Sequence, residues 1–148
     1  MMGKSMHFQG ERGATMLEFC GIAIVVLGLL GAFFDLGIGL RNYADLTHVT
    51  TRVANEIAVQ QNLSNGSASC AVIENAAVTR AAQELKNLNG NEASLFRSQV
   101  AFNPQTGLYE ITLGGEQQLD CFLCIFVSGV TVRASGTGAI DNPSFQCV

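Results

Sequence analysis

Residues 19–40 form a run of 22 positions in which Asp35 is the only charged side chain. At about 1.5 Å of rise per residue a helix of that length covers roughly 33 Å, enough to cross the hydrocarbon core of a bilayer. Beyond it the pattern changes without a break. Leu46, Val49, Val53 and Ile57 recur at helical spacing, with Asp45, Arg52, Asn55 and Glu56 off that face. Periodicity therefore predicts one helix over residues 15–61, apolar all round in its first half and amphipathic in its second. The turn formers of NLSNGSAS, residues 62–69, end it. Val72, Ile73, Ala76, Ala77, Ala81, Leu85 and Leu88 predict a second amphipathic helix, with Gly90 placed to cap it.

From residue 94 the alternation becomes that of strands. LFRSQVAF and LYEITLG flank NPQTG, a turn sequence with Pro and Gly, which predicts a hairpin. LDCFLCIFV (119–127) and VTVRASGTG (130–138) flank Ser128-Gly129 as a possible second hairpin. Helices followed by strands predict an α+β fold, a long N-terminal transmembrane helix continuing into a domain with a second helix and an antiparallel sheet of about four strands.

Composition narrows the class. At 148 residues, 48% apolar and 14% charged, the chain is too hydrophobic for disorder and has room for an anchor and one small domain. Net charge is −4, and the six basic residues beyond position 13 (Arg41, Arg52, Arg80, Lys86, Arg97, Arg133) are scattered, which argues against a nucleic-acid partner. Lys4 and Arg12 precede the apolar run and only Arg41 follows it closely, so the positive-inside bias puts the N-terminus in the cytoplasm and the domain across the membrane. The run is too long for a signal peptide, and no A-x-A-like cleavage site follows it.

Of five cysteines, Cys20 lies in the apolar run and reads as a packing residue, leaving Cys70, Cys121, Cys124 and Cys147. An even number in a domain carried into an oxidising space such as the periplasm points to two disulfides. If 119–127 is extended, Cys121 and Cys124 point to opposite faces about 10 Å apart and each must pair with Cys70 or Cys147; a turn at Phe122-Leu123 permits Cys121–Cys124 instead. A single C-x-x-C without a second pair or nearby histidines is a weak metal signal, and His7 and His48 stand apart from it, so no metal or cofactor is expected. No nucleophile elbow, zincin helix or phosphate-binding glycine loop is present, and GATM and SGTGA are glycine-rich only in passing. The chain does not read as an enzyme.

The first sixty residues resemble a known family. MMGKSMHFQGERG followed by ATMLEF, with Glu18-Phe19, is similar to the leader and processing site of type IV prepilin-like proteins, and within them to the TadE-like minor pilins (pseudopilins) of tight-adherence pilus systems. FFDLGIGLRNYADLTHVTTRVANEIA resembles the stretch in which such chains leave the membrane. The resemblance implies a leader (1–13) cut by prepilin peptidase between Gly13 and Ala14, a transmembrane helix (14–40) and a pilin-like periplasmic domain (41–148). It also implies an inner-membrane location before assembly, and other pilins, pseudopilins, the pilus assembly machinery and membrane lipid as partners. Ala14 stands where many major pilins carry Phe.

Several residues have two readings. Thr15 and Glu18 fit a capping box at a helix start. If the leader is cut, Glu18 lies one turn from the new amine of Ala14 and can pair with the amine of a neighbouring subunit, an unpartnered carboxylate at bilayer depth costing on the order of 3 kcal/mol. Asp35 is either solvated at the interface beside Arg41 or an interhelical contact. Gly28, Gly31, Ala32, Asp35 and Gly39, with Gly21 further back, give a face on which helices can approach closely. The functional expectation is a minor pilin that primes, caps or studs a filament. Its rivals are the major subunit, an unprocessed membrane-anchored domain that binds a ligand or envelope component, and a thiol–disulfide enzyme built on Cys121 and Cys124.

Overall fold

The apolar run and the amphipathic stretch are one uninterrupted helix. The computed structural model of the chain describes residues 9–64, 69–89, 94–119, 130–143 and 145–147. Helix α1 spans Gln9–Leu63, 55 residues and about 80 Å. It begins six residues before the expected start at Thr15, so Thr15 is a helix-interior residue and the capping-box reading of Thr15 and Glu18 does not hold for the full-length chain. Helix α2 spans Cys70–Asn89, and strands β1 (Ser94–Asn103), β2 (Leu108–Gln118) and β3 (Thr131–Ile140) form an antiparallel sheet in the order β1-β2-β3. The fold is α+β as expected. Three strands lie among the described residues; most of the expected strand at 119–127, the turn at Ser128-Gly129 and Gly90 lie outside them.

The β1–β2 hairpin matches its sequence signals. Gly107, with φ of 72°, takes the left-handed position that a side chain would strain, and its N–H donates to Asn103 O at 2.8 Å. Asn103 Oδ1 accepts from Gln105 N at 2.9 Å, closing the turn from inside. Strand β3 pairs with β2, Gln118 opposite Thr131, and Leu119 N donates to Val130 O at 2.9 Å one step further on.

Both helices lie on one face of the sheet. Helix α2 runs antiparallel to α1, as two crossed ion pairs show: Arg52–Glu84 at 2.7 Å and Arg80–Glu56 at 2.6 Å. It buries Ile73, Ala77, Ala81 and Leu85, each four residues from the last, and Glu74 accepts the N–H of Val100 at 2.8 Å, covering a donor on the outer edge of β1. From α1 come Leu46, Val49, Val53, Ala54, Ile57 and Ala58; from the sheet come Phe96, Ile111, Leu113 and Ile140. Thr50 is also buried, its hydroxyl satisfied by Leu46 O at 2.9 Å.

Helix α1 meets the sheet more closely than ordinary side chains permit. A Cβ added at Gly136 would lie 2.5 Å from Thr50 and Thr51 backbone atoms, and one at Gly138 would lie within 2.5 Å of the Ala54 carbonyl oxygen. On the helix the facing positions are Thr50, Ala54 and Ala58, four apart and small. The chain end closes the far side of the core. Phe145 is buried edge-on against Tyr109, with ring centroids 5.2 Å apart, and Asn142 Nδ2 donates to Gln61 O at 3.0 Å and Ser64 O at 2.9 Å, satisfying carbonyls at the end of α1. Cys147 is disulfide-bonded to Cys70 at the start of α2.

Candidate assembly helix

The expected processing, assembly and helix-packing residues all lie on α1, which has two halves of different character. None of its most apolar 18 residues is buried, and by length and composition it is a helix able to cross a membrane. Met16, Leu17, Phe19, Phe33 and Phe34 are each about seven-tenths exposed. Among the described residues the core positions of α1 begin at Leu46, and Leu119 reaches down the helix to Gly39. A face of this kind is stable only against lipid or other helices.

Gly13 and Ala14 lie within α1 rather than before it, so the chain is helical across the expected cut. Ala14 and Glu18 are four residues apart, hence stacked on one face about 6 Å along the axis. Glu18 and Phe19 are exposed. The carboxylate therefore stands where a neighbouring chain can meet it.

The small-residue face divides. Gly21, Gly28 and Ala32 are exposed, and a Cβ at Gly21 or Gly28 would meet nothing within 4 Å. Gly31, Asp35 and Gly39 are half-buried, and their row continues through Asn42 to Leu46 into the core. At Gly39 the close approach is already taken by the chain itself, since a Cβ there would lie 3.5 Å from Leu119 Cδ1. Gly39 thus serves the joint between helix and domain. Arg41 lies 3.9 Å from Asp45, one turn along the helix.

The Cys70–Cys147 bond overturns the two crossed pairings that an extended 119–127 required. It belongs to the third connectivity, the one that leaves Cys121 and Cys124 to each other; both lie outside the described residues. Cys20 is free and exposed. Among the described residues no three His, Cys, Asp or Glu side chains gather as metal ligands.

Some residues that shape the site were not legible as such. Gly115, Gly136 and Gly138 admit α1 to the sheet; the clue was the i, i+2 spacing in SGTGA, which puts both glycines on one face of a strand. Asn142 as a cap and Leu119 as the partner of Gly39 had no local signal. Gln117 is buried next to that end of the sheet, and its amide has no hydrogen-bond partner among the described residues. Comparison with protein-family models, curated proteins and solved structures finds no match to this chain.

Proposed function

We propose that the chain is a minor pilin, or pseudopilin, of a tight-adherence type IV pilus system, made as an inner-membrane precursor and cut by prepilin peptidase after Gly13. The observation that carries this reading is the division of α1, bare and apolar in its first half and built into a domain in its second. In this reading the protein catalyses nothing. Its work is assembly: the bare half moves from lipid into a bundle of like helices, Glu18 sets register against a neighbour's Ala14 amine, and Gly21, Gly28 and Ala32 allow close approach. The domain, held on the periplasmic side, selects partners among other pilins and the assembly machinery, and gives the filament an end or an adhesive surface.

A domain of nearly 90 residues beyond the helix favours a minor over a major subunit, because tight-adherence major pilins are little more than the helix. One observation favours a second reading. Helix α1 is unbroken from Gln9 through Gly13 and Ala14, as suits an anchor that is never processed; cleavage requires those first turns to unwind in the peptidase. Gly10 and Gly13 make unwinding easier, each being about 1 kcal/mol less favourable than Ala in a helix.

Intact-mass measurement of the protein from cells with and without prepilin peptidase decides between them. A product beginning at Ala14 only when the peptidase is present is the expected result. Retention of residues 1–13 in both strains refutes the pilin route and leaves the anchored domain.

A further inference from the structure

The two ends of the sheet differ in chemistry, and the structure places one of them level with the apolar run. At the far end β1 and β2 are joined by the polar turn at residues 104–107. At the near end Leu119 and Val130 face each other through the bond from Leu119 N to Val130 O at 2.9 Å. Leu119 packs against Gly39, in the last turn of the run 19–40. Strand spacing agrees: Gly136 lies over Thr50 and Thr51, and Val130, six strand residues back, is about 20 Å nearer the membrane. That distance equals about thirteen helix residues, which brings Val130 level with residue 37.

An end so placed cannot stand clear of a bilayer that α1 crosses. Leu119 and Val130 are both apolar, and Val130 is 40% exposed, a side chain better placed against lipid than against water.

We propose that the end of the sheet marked by Leu119 and Val130 rests in the interfacial layer of the leaflet on the domain's side, so that phospholipid is the partner of this surface. The domain then touches the membrane at two places, through α1 and through the sheet end, and is held at a fixed tilt before it meets other subunits. This inference rests on the reading of α1 as membrane-spanning, but not on processing or on filament assembly.

The chain contains no tryptophan, so single Trp substitutions report local surroundings cleanly. Full-length protein is reconstituted into phosphatidylcholine–phosphatidylglycerol vesicles with Trp at one of four sites: Val130→Trp, Gln118→Trp, Leu29→Trp within the run, and Phe102→Trp at the far end. Gln118 is exposed and provides a second probe if the Val130 variant fails to fold; retention of the Cys70–Cys147 bond and a wild-type trypsin pattern certify folding. The expected result is that lipid brominated high on its acyl chains removes most of the emission of Val130→Trp and Gln118→Trp, while aqueous iodide quenches only Phe102→Trp. Iodide quenching of Val130→Trp and Gln118→Trp equal to that of Phe102→Trp, with Leu29→Trp quenched by lipid, overturns the inference and leaves the spanning helix intact. Iodide quenching of Leu29→Trp as well overturns both.

Discussion

The close approach of α1 to β3 makes Gly138 a sensitive position. A Cβ at Gly138 would sit 2.4 Å from the Ala54 carbonyl oxygen, 2.8 Å from its carbon and 3.1 Å from Ala58 Cβ. An ordinary carbon–oxygen contact is about 3.3 Å, so helix and strand must separate by most of an ångström. The two nearest atoms are backbone, and Ala58 Cβ cannot turn aside. Overpacking of this kind costs about 1–3 kcal/mol, and a backbone-on-backbone clash belongs at the upper end. The loss of glycine's unfolded-state freedom returns roughly 0.4–1 kcal/mol. Gly138→Ala is therefore expected to destabilise the domain by about 2 kcal/mol, a fall in Tm of roughly 8–16 °C for a domain of this size. Gly114→Ala is the matched control, since a Cβ on that face of β2 would meet only Arg97 O, at 3.8 Å. It should be neutral or stabilising by up to about 1 kcal/mol. Thermal unfolding of the full chain in detergent, followed by near-ultraviolet dichroism of the Tyr109–Phe145 cluster, reads the domain without the micelle-bound helix. Equal melting of wild type and Gly138→Ala would refute the close-approach argument.

Three other substitutions test the remaining joints. Cys70→Ser opens a link between residues 77 apart, for which loop entropy gives a loss of about 4.5 kcal/mol; urea unfolding should show it, and chymotrypsin should gain a cut after Phe145, which is buried in the intact domain. Asn142→Ala removes two hydrogen bonds to the end of α1 and should cost about 1–2 kcal/mol in the same assay, with hydrogen exchange rising in the last turn of α1 and not at its Val49–Val53 stretch. On the proposed pilin reading, Glu18→Gln should leave membrane insertion and domain melting unchanged while lowering incorporation into filaments, counted by immunogold labelling of sheared pili, at least tenfold; wild-type incorporation would remove the carboxylate from the proposed assembly mechanism.

Sequence alone carried the fold a long way because its strongest signals were periodic. The switch at Leu40–Arg41 from a continuous apolar run to a one-sided stripe located both halves of α1, and Leu46, Val49, Val53 and Ile57 are all buried as their spacing requires. NPQTG located the hairpin because Gly107 must adopt a positive φ there. Local pattern carried no information about which elements touch. Glycines in SGTGA are ambiguous until Thr50, Ala54 and Ala58 are laid over them, and a cysteine pairing between residues 70 and 147 follows from where the tail ends, not from its sequence. The helix start was misplaced for a different reason: Thr15 and Glu18 do form a capping pattern, but residues 9–14 extend the helix past it.

That last difference bears on how a cut after Gly13 would act. In the full-length chain Glu18 is the tenth residue of α1, far enough from Gln9 that the positive end of the helix dipole contributes little to it. Removal of residues 1–13 would make Glu18 the fifth residue, within reach of the free amides and the new amine of Ala14. Processing would thus change the electrostatics of Glu18 far from the core of the domain, whose first buried residue on α1 among those described, Leu46, is 28 positions away, about 40 Å along the helix. On the proposed pilin reading, the pairing of Glu18 with a neighbour's amine would then become available only after the cut, and its energy would belong to assembly and not to folding.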